Sequence, residues 1–350
     1  MEKLDLKSMT LPELQQTLTA QGLPKFRAGQ IYTWLHQKQA ESFSEMTNLS
    51  KDLRSSLEQQ YELYNCRILQ KLVSGLDGTI KYLFELNDGE TVETVLMKYK
   101  YGYSICVSSQ VGCNMKCRFC ASTIDGCVQD LRASEILAQV YAATRDTGIR
   151  VSHLVMMGMG EPLMNYDNVL RFLEMITDEK GYNLSARHIS ISTCGIVPRI
   201  YDLIELHPQF TLSVSLHAPN NTVRNQIMPV NKKWTTEELL QACRDYTAAT
   251  SRRISFEYAM MSGVNDTDDC ARELAGKLKG MLCHVNLIPA NEVRENDYVR
   301  SSTERLRAFS DILEKHGITT TVRRTLGSDI NASCGQLRRK NKGKGKEENS

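Results

Sequence analysis

The chain has no apolar run approaching the roughly twenty residues that a helix needs to cross a bilayer, so a membrane-spanning helix is excluded. Its first residues, MEKLDLKSMT, carry acidic side chains and lack the apolar stretch and small-residue cleavage site of a secretory signal. The expected location is the cytoplasm. Neither sign of charge is in excess: 43 basic residues stand against 41 acidic ones in 350, a formal net charge of +2. An overall field that recruits nucleic acid is therefore excluded, and any such contact has to come from local patches. The imbalance sits at one end, because residues 338–350 hold six basic and two acidic residues, leaving 37 against 39 elsewhere. No internal repeat is present, and RRKNKGKGKEENS reads as a low-complexity basic tail expected to be disordered.

What the chain does have is length and cysteine. At 350 residues it can bury a large core, and the usual domain size suggests one large domain plus something smaller. Its eleven cysteines are an odd number in a chain without a signal, which argues against a disulfide framework and for metal or redox chemistry.

The apolar pattern divides the chain. Residues 11–60 read as helical, with Leu14, Leu18 and Leu23 followed by Ile31, Trp34 and Leu35, and with Pro24 between the two stretches. From Ile68 to Val95 the pattern turns to short β-rich runs, KYLFEL and TVETVLM, punctuated by the hairpin signals Asp77-Gly78 and Asp88-Gly89. From residue 103 onward the runs YSICVSS, VSHLVMM, RHISIS, TLSVSLH, RISFEYAM, CHVNLI and ITTTVRR read as strands. Helix-like segments separate them, such as ASEILAQVYAATRD, where Ser134 is the expected cap and Ile136, Leu137, Val140 and Tyr141 share a face. Repeated βα units imply an α/β fold with a parallel sheet, a full or partial barrel whose site lies at the C-terminal ends of its strands. The expected division is a helical accessory domain over 1–64, a β-rich connector over 65–98, a catalytic barrel over 99–337 and the tail over 338–350.

The strongest chemical signal follows the first strand of the βα series: Cys113-Asn-Met-Lys-Cys117-Arg-Phe-Cys120, spaced CxxxCxxC. Three thiolates on one short loop can hold three irons of a [4Fe-4S] cluster and leave the fourth iron open to a small molecule. A structural zinc site would want four protein ligands, and no histidine lies within the loop. After the second strand comes Met157-Gly158-Met159-Gly160-Glu161-Pro162, whose glycines permit close backbone approach and whose glutamate offers an acceptor.

The cysteine loop after the first strand of a βα barrel resembles the radical S-adenosylmethionine (SAM) superfamily, and the Gly160-Glu161 turn resembles its SAM-amine motif. The resemblance implies a partial (β/α)6-type barrel and a cluster whose open iron chelates SAM, yielding a 5′-deoxyadenosyl radical on reduction. The strings CVSSQVGC, MGMGEPLMNYDNV, ISTCGIVP, SLHAPNNTVRNQIMPVNKK, CHVNLIPAN and VRRTLGSDINASCGQLR, from about residue 75 to 338, are similar to the RlmN/Cfr family of radical SAM RNA methyltransferases, nearer its RlmN branch. Small departures stand at Cys194, Asn331 and Ser333, where the family commonly has Ser, Asp and Ala.

That resemblance implies methylation of adenine C2 in 23S rRNA near the peptidyl transferase centre, and in tRNA beside the anticodon, with two SAM molecules per turnover. A residue matching Cys334 accepts a methyl group and forms an RNA crosslink. One matching Cys106 resolves that crosslink through a transient disulfide. Glu93 matches the family's proton acceptor, while Gly160, Glu161, Ser192, Ser215, Leu216, His217 and Asn291 match its SAM contacts. Without the resemblance, Cys106 reads as a buried hydrophobe, Glu93 as a solvated carboxylate and His217 as an ordinary strand-end histidine. Cys66, Cys127, Cys194, Cys243, Cys270 and Cys283 read as packing residues. Implied partners are 23S rRNA, tRNA and an external electron donor such as a flavodoxin or ferredoxin, with the chain a monomer. Candidate phosphate binders are Arg323, Arg324, Arg338, Arg339, Lys232, Lys233 and the tail lysines. Two other readings stay open: a Cfr-like C8 methyltransferase, and a non-enzymatic iron–sulfur or zinc protein that binds RNA.

Overall fold

The computed structural model describes residues 3–290, 297–332 and 337–338. The chain opens with a small module: β1 (Leu4–Asp5), α1 (Leu11–Ala20), α2 (Lys25–His36), α3 (Lys51–Gln60) and β2 (Tyr61–Glu62), which pairs back onto β1. Thr10 and Glu13 form a capping box that starts α1, with Pro12 inside its first turn. Leu14, Leu18, Ile31 and Leu35 fill a hydrophobic core separate from that of the barrel. The module is docked by polar contacts: Ser8 Oγ donates to Ser134 Oγ at 2.8 Å, and His36 Nδ1 lies 2.9 Å from the Tyr141 hydroxyl.

Next come β3 (Arg67–Val73), β4 (Ile80–Glu85), β5 (Thr91–Tyr99) and β6 (Gly102–Cys106), an antiparallel meander turned at the two Asp-Gly signals and at Gly102. A short ribbon of β7 (Gln110–Gly112) and β8 (Cys127–Asp130) follows. Then α4 (Ala133–Thr147), β9 (His153–Met156), α5 (Tyr166–Thr177), β10 (Ile189–Thr193), α6 (Val197–Glu205) and β11 (Thr211–Ser215) alternate. The series continues through α7 (Asn221–Ile227), α8 (Thr236–Thr250), β12 (Ile254–Met260), α9 (Asp268–Leu278), β13 (Cys283–Pro289), α10 (Thr303–Lys315) and β14 (Thr320–Val322).

The main sheet has ten strands in the order 14-13-12-11-10-9-6-5-4-3. Strands β6 and β9 through β14 are mutually parallel, a partial α/β barrel in which β14 adds a seventh parallel strand, while β5, β4 and β3 extend it antiparallel. Alternation along each strand separates two environments. Ile105, Leu154, Ile191, Leu212, Val214 and Phe256 face the helices and form the main core. The opposite face carries Cys106, Ser192, Ser215, Glu257 and Asn286, an unusually polar lining for a barrel interior.

One expectation is corrected here. Ser134 does not cap α4: the cap is Arg132, whose backbone N–H donates to Glu135, while Ser134 is buried in the first turn against Ser8.

The outer end of the meander curls back over the last strand. Ser74 Oγ and the Gly75 N–H donate to the Asp329 carboxylate at 2.7 and 2.9 Å, and Asp77 accepts the Gly327 N–H at 2.8 Å. The β3–β4 turn and the segment after β14 thus clasp each other.

Candidate functional site

The cysteine loop is framed by the β7/β8 ribbon and pinned at several points. Cys113 N–H donates to Gly126 O at 2.9 Å, Thr123 Oγ1 donates to the carbonyls of Cys117 and Cys120, and Arg118 N–H donates to Ile227 O at 2.9 Å. Lys116 takes the left-handed conformation, φ 57°, that reverses the chain between the first two cysteines. Cys113 and Cys117 are buried and Cys120 half-buried. Burial pushes the Cys113 thiol up to about 12 and raises Cys117 well above the usual thiol range; neighbouring thiols of the same loop add to both shifts. Three thiolates in such a place need a cationic group to hold them charged, so the donor set fits an iron–sulfur cluster.

The Met157–Pro162 turn lies directly against this ribbon. The N–H groups of Ser109 and Gln110 donate to Met159 O, Met159 N–H donates to Ser108 Oγ, and Glu161 N–H donates to Gln110 Oε1 at 2.8 Å. The contact is close enough to exclude any side chain: a Cβ on Gly158 would lie 2.5 Å from Val107 O. One on Gly160, whose φ is +103°, would lie 2.6 Å from Gln110 Cβ. Glu161 is buried, which raises its pKa, while the N–H groups of Cys194 (2.7 Å) and Leu163 (3.0 Å) oppose the shift, one on each carboxylate oxygen. The side chain is therefore a strut between the second and third strand ends, leaving only its remaining lone pairs and its backbone for a ligand.

Ser192 and Ser215 face each other on the inner surface with hydroxyl oxygens 3.5 Å apart. Leu216 is fully buried, so its polar handle is its backbone. His217 has φ +56° and a buried ring whose Nδ1 accepts the Ala259 N–H at 2.9 Å. Burial, with Arg224 nearby, pushes its pKa down to about 3. The ring is thus neutral, with Nε2–H as its one donor. Phe119 of the cysteine loop meets it edge-on at 4.9 Å.

Arg224 was not singled out in the sequence. Its side chain is fully buried and donates to Leu216 O (3.1 Å), Cys194 O (2.6 Å), Ser215 O (3.2 Å) and Asn231 Oδ1 (3.1 Å), joining the ends of β10 and β11. TVRNQIM mixes polar and apolar residues, and nothing in it marks Arg224 as buried.

Cys106 is buried on the inner face, clustered with Val95 and Met97 and packed against by Val155, Met157, Leu326 and Ala332. Glu93 is no solvated carboxylate. It pairs with Lys81 at 2.8 Å, both side chains 1% exposed, and accepts the Arg338 N–H at 2.8 Å. Lys81 also donates to Asn331 O at 3.0 Å. Asn291, Cys334 and Arg339 lie outside the described residues, but the chain on either side of Cys334, at 331–332 and 337–338, converges on Cys106, Lys81 and Glu93. Arg338 is corrected as a phosphate candidate: it is 3% exposed and its guanidinium is paired with Glu90 at 2.9 Å. Lys232, Lys233 and Arg324 are exposed and Arg323 is half-buried. Of the cysteines read as packing, Cys66, Cys194, Cys243 and Cys270 are buried, whereas Cys127 and Cys283 are half-buried and Cys127 lies on the ribbon beside Asn114.

A cysteine triad on a pinned loop, a glycine turn against it and a polar inner wall define a radical SAM domain, and the family model described as Radical SAM superfamily matches residues 107–274. Such proteins use a [4Fe-4S] cluster and SAM. A second family model, the ribosomal RNA large subunit methyltransferase N-terminal domain, matches residues 4–63.

Full-length relatives narrow the assignment. A protein of Alkaliphilus oremlandii named "Probable dual-specificity RNA methyltransferase RlmN" is 53% identical over 97% of this chain and 99% of its own, and one of the same name from Clostridium novyi is 51% identical over 96% and 98%. The crystal structure of a radical SAM methyltransferase from Sphaerobacter thermophilus is 44% identical, with a TM-score of 0.91 over 95% of this chain and 98% of that one. The chain belongs to the RlmN family of radical SAM methyltransferases.

Proposed function

We propose that the chain forms 2-methyladenosine in 23S rRNA and in tRNA, with Cys113, Cys117 and Cys120 holding the cluster. The observation that carries this reading is the convergence of Cys106, Glu93 and the two ends of the Cys334 segment on one inner wall of the barrel. When bound, the cluster and SAM supply a 5′-deoxyadenosyl radical. The Gly160-Glu161 turn, Ser192, Ser215, the Leu216 backbone, His217 and Asn291 orient SAM, with His217 Nε2–H donating. Cys334 carries the methyl carbon as a thioether and delivers it to adenine. Glu93 takes up a proton at a carboxylate oxygen. Cys106 Sγ then attacks the Cys334 sulfur; the S–C bond breaks, its electron pair goes to carbon, and that carbon takes a proton to become the product methyl. Burial of Cys106 among apolar neighbours keeps water and stray oxidants from this thiol before RNA arrives.

The resulting disulfide has to be reduced externally, and the cluster requires a low-potential donor such as a flavodoxin or ferredoxin. A monomer in the cytoplasm fits these needs, and no helix among the described residues is long and apolar enough to span a membrane. The test is mass spectrometry of nucleosides from unmodified 23S rRNA and tRNA incubated anaerobically with reconstituted protein, methyl-labelled SAM and reductant. Labelled 2-methyladenosine is expected. Labelled 8-methyladenosine would identify the Cfr-type reaction instead, and SAM cleavage with unlabelled RNA would remove these substrates.

A further inference from the structure

At the end of the strands opposite the cysteine loop, four rings form one continuous row, two stacked pairs joined edge-on, at the surface. Tyr99 and Tyr101, on the β5–β6 turn, lie face to face with centroids 5.0 Å apart and planes 7° from parallel. Tyr101 meets His153, the first residue of β9, edge-on at 4.7 Å, and His153 stacks on His188, just before β10, at 4.4 Å and 19°. Tyr101 is 62% exposed and His188 is exposed, while Tyr99 and His153 are half-buried. The imidazoles are fixed from one side, since His153 Nδ1 lies 3.0 Å from Ser152 Oγ and His188 Nδ1 lies 3.1 Å from Ser152 O. Ring faces are thus held in place while their outer edges meet solvent.

The segments that supply these rings, 98–103, 150–153 and 185–188, contain Lys98, Lys100, Arg150 and Arg187 and no carboxylate. Arg150 is engaged with the Tyr182 ring, 4.6 Å above it. Lys98, Lys100 and Arg187 are exposed, and among the described residues none of them joins an ion pair. In a chain of nearly balanced charge, exposed cations outside any ion pair, on segments that carry no carboxylate of their own, are a local departure. Fixed aromatic faces beside uncommitted cations are the chemistry that holds unpaired nucleotides, because bases of any identity stack on the rings and phosphates neutralise the cations.

We propose that this face is a second RNA contact, on which an unpaired nucleotide of the substrate stacks against Tyr101 while Lys98, Lys100 and Arg187 take flanking phosphates. The proposal rests on the RNA-substrate reading above. His153 and Met157 are separated by the length of β9, roughly 13 Å at the usual strand rise. The nucleotide held here is therefore not the one whose base reaches the inner wall. It belongs to another part of the same folded RNA, and it sets the approach of that RNA to the barrel without reading its sequence.

The test uses anaerobically reconstituted holoenzyme and unmodified tRNA, with affinity measured by fluorescence anisotropy across a salt series. Tyr101→Ala is expected to weaken binding about five- to hundredfold at fixed salt, and Tyr101→Phe to keep it. The triple variant Lys98→Gln, Lys100→Gln, Arg187→Gln is expected to reduce the slope of log affinity against log salt by about two. Cluster absorbance and RNA-independent SAM cleavage should match the parent in every variant, since all altered side chains lie at the far end of the strands. Parent-like affinity and slope in both variants would overturn the proposal. If those variants instead slowed cluster reduction by flavodoxin, the face would belong to a protein partner. Failure of the parent enzyme itself to bind RNA would overturn the substrate reading, and this proposal with it.

Discussion

Replacing Lys81 by Met should be among the most destabilising single changes in the barrel, although Lys81 touches neither the cysteine loop nor the glycine turn. Its ammonium and the Glu93 carboxylate are 2.8 Å apart and both side chains are 1% exposed. At an effective dielectric near 20 their attraction is about 6 kcal/mol, similar in size to the several kcal/mol each ion lost on leaving water. The intact pair is therefore close to break-even. Removing one partner is not, because the other charge stays buried without its opposite charge, a change of about 3–5 kcal/mol. With an unfolding entropy of about 2.1 cal/mol/K per residue, the 350 residues carry roughly 0.7 kcal/mol/K, so the midpoint should fall by about 4–7 °C. The double variant Lys81→Met, Glu93→Leu should recover most of that loss, since no charge is then left stranded. Anaerobic scanning fluorimetry of the reconstituted protein reads both numbers. A Lys81→Met midpoint within about 1 °C of the parent, or a double variant as unstable as the single one, would refute the reasoning.

Arg224→Met leaves the carbonyls of Cys194, Ser215 and Leu216 without their donor, at a cost of about 3 kcal/mol or more. It should also weaken SAM binding at least tenfold, read from SAM's perturbation of the reduced cluster's electron paramagnetic resonance; Arg224→Lys should not restore it, and parent-like binding by either variant would sink this view. Cys106→Ala should accumulate a covalent protein–RNA adduct through Cys334, detectable by denaturing electrophoresis, and clean product release would remove Cys106 from its role. Burial, with Lys7 nearby, holds the His36 pKa down to about 3. A folded pKa below the unfolded value of about 6.5 gives stability that is complete above pH 6.5 and is lost as pH falls towards 3. Between pH 7 and 5 the parent should lose about 2 kcal/mol, near 3 °C, more than His36→Gln does, and parallel pH profiles would exclude that linkage.

Much of the fold was legible because the barrel strands announce themselves locally. Each of the seven runs read as parallel strands overlaps one of β6 and β9 through β14, since a strand covered by helices on one face needs short β-branched and apolar stretches. The cysteine loop and the glycine turn were legible for a similar reason: their spacing is itself the chemistry. What escaped was whatever depends on partners far along the chain. Lys81 and Glu93 look like two surface charges on a hairpin until residues 331 and 338 close over them. Arg338 looks like the start of a basic tail, yet Glu90, more than two hundred residues earlier, draws it into the fold. Ser134 had the right chemistry for a cap and the wrong position, because Ser8 of the N-terminal module claims its hydroxyl.

The clasp between the β3–β4 turn and the segment after β14 also bears on the order of assembly. Ser74 and Asp329 are 255 positions apart, so their contact closes one of the longest loops the chain can make. On the ribosome, the helices and strands that carry the cysteine loop emerge long before Asp329 does. The barrel can pair its strands in sequence as they appear, but its inner wall is sealed only when the last thirty residues arrive. An N-terminal fragment, however well folded, keeps an open flank, so the site is finished only once the chain has been made through Arg338.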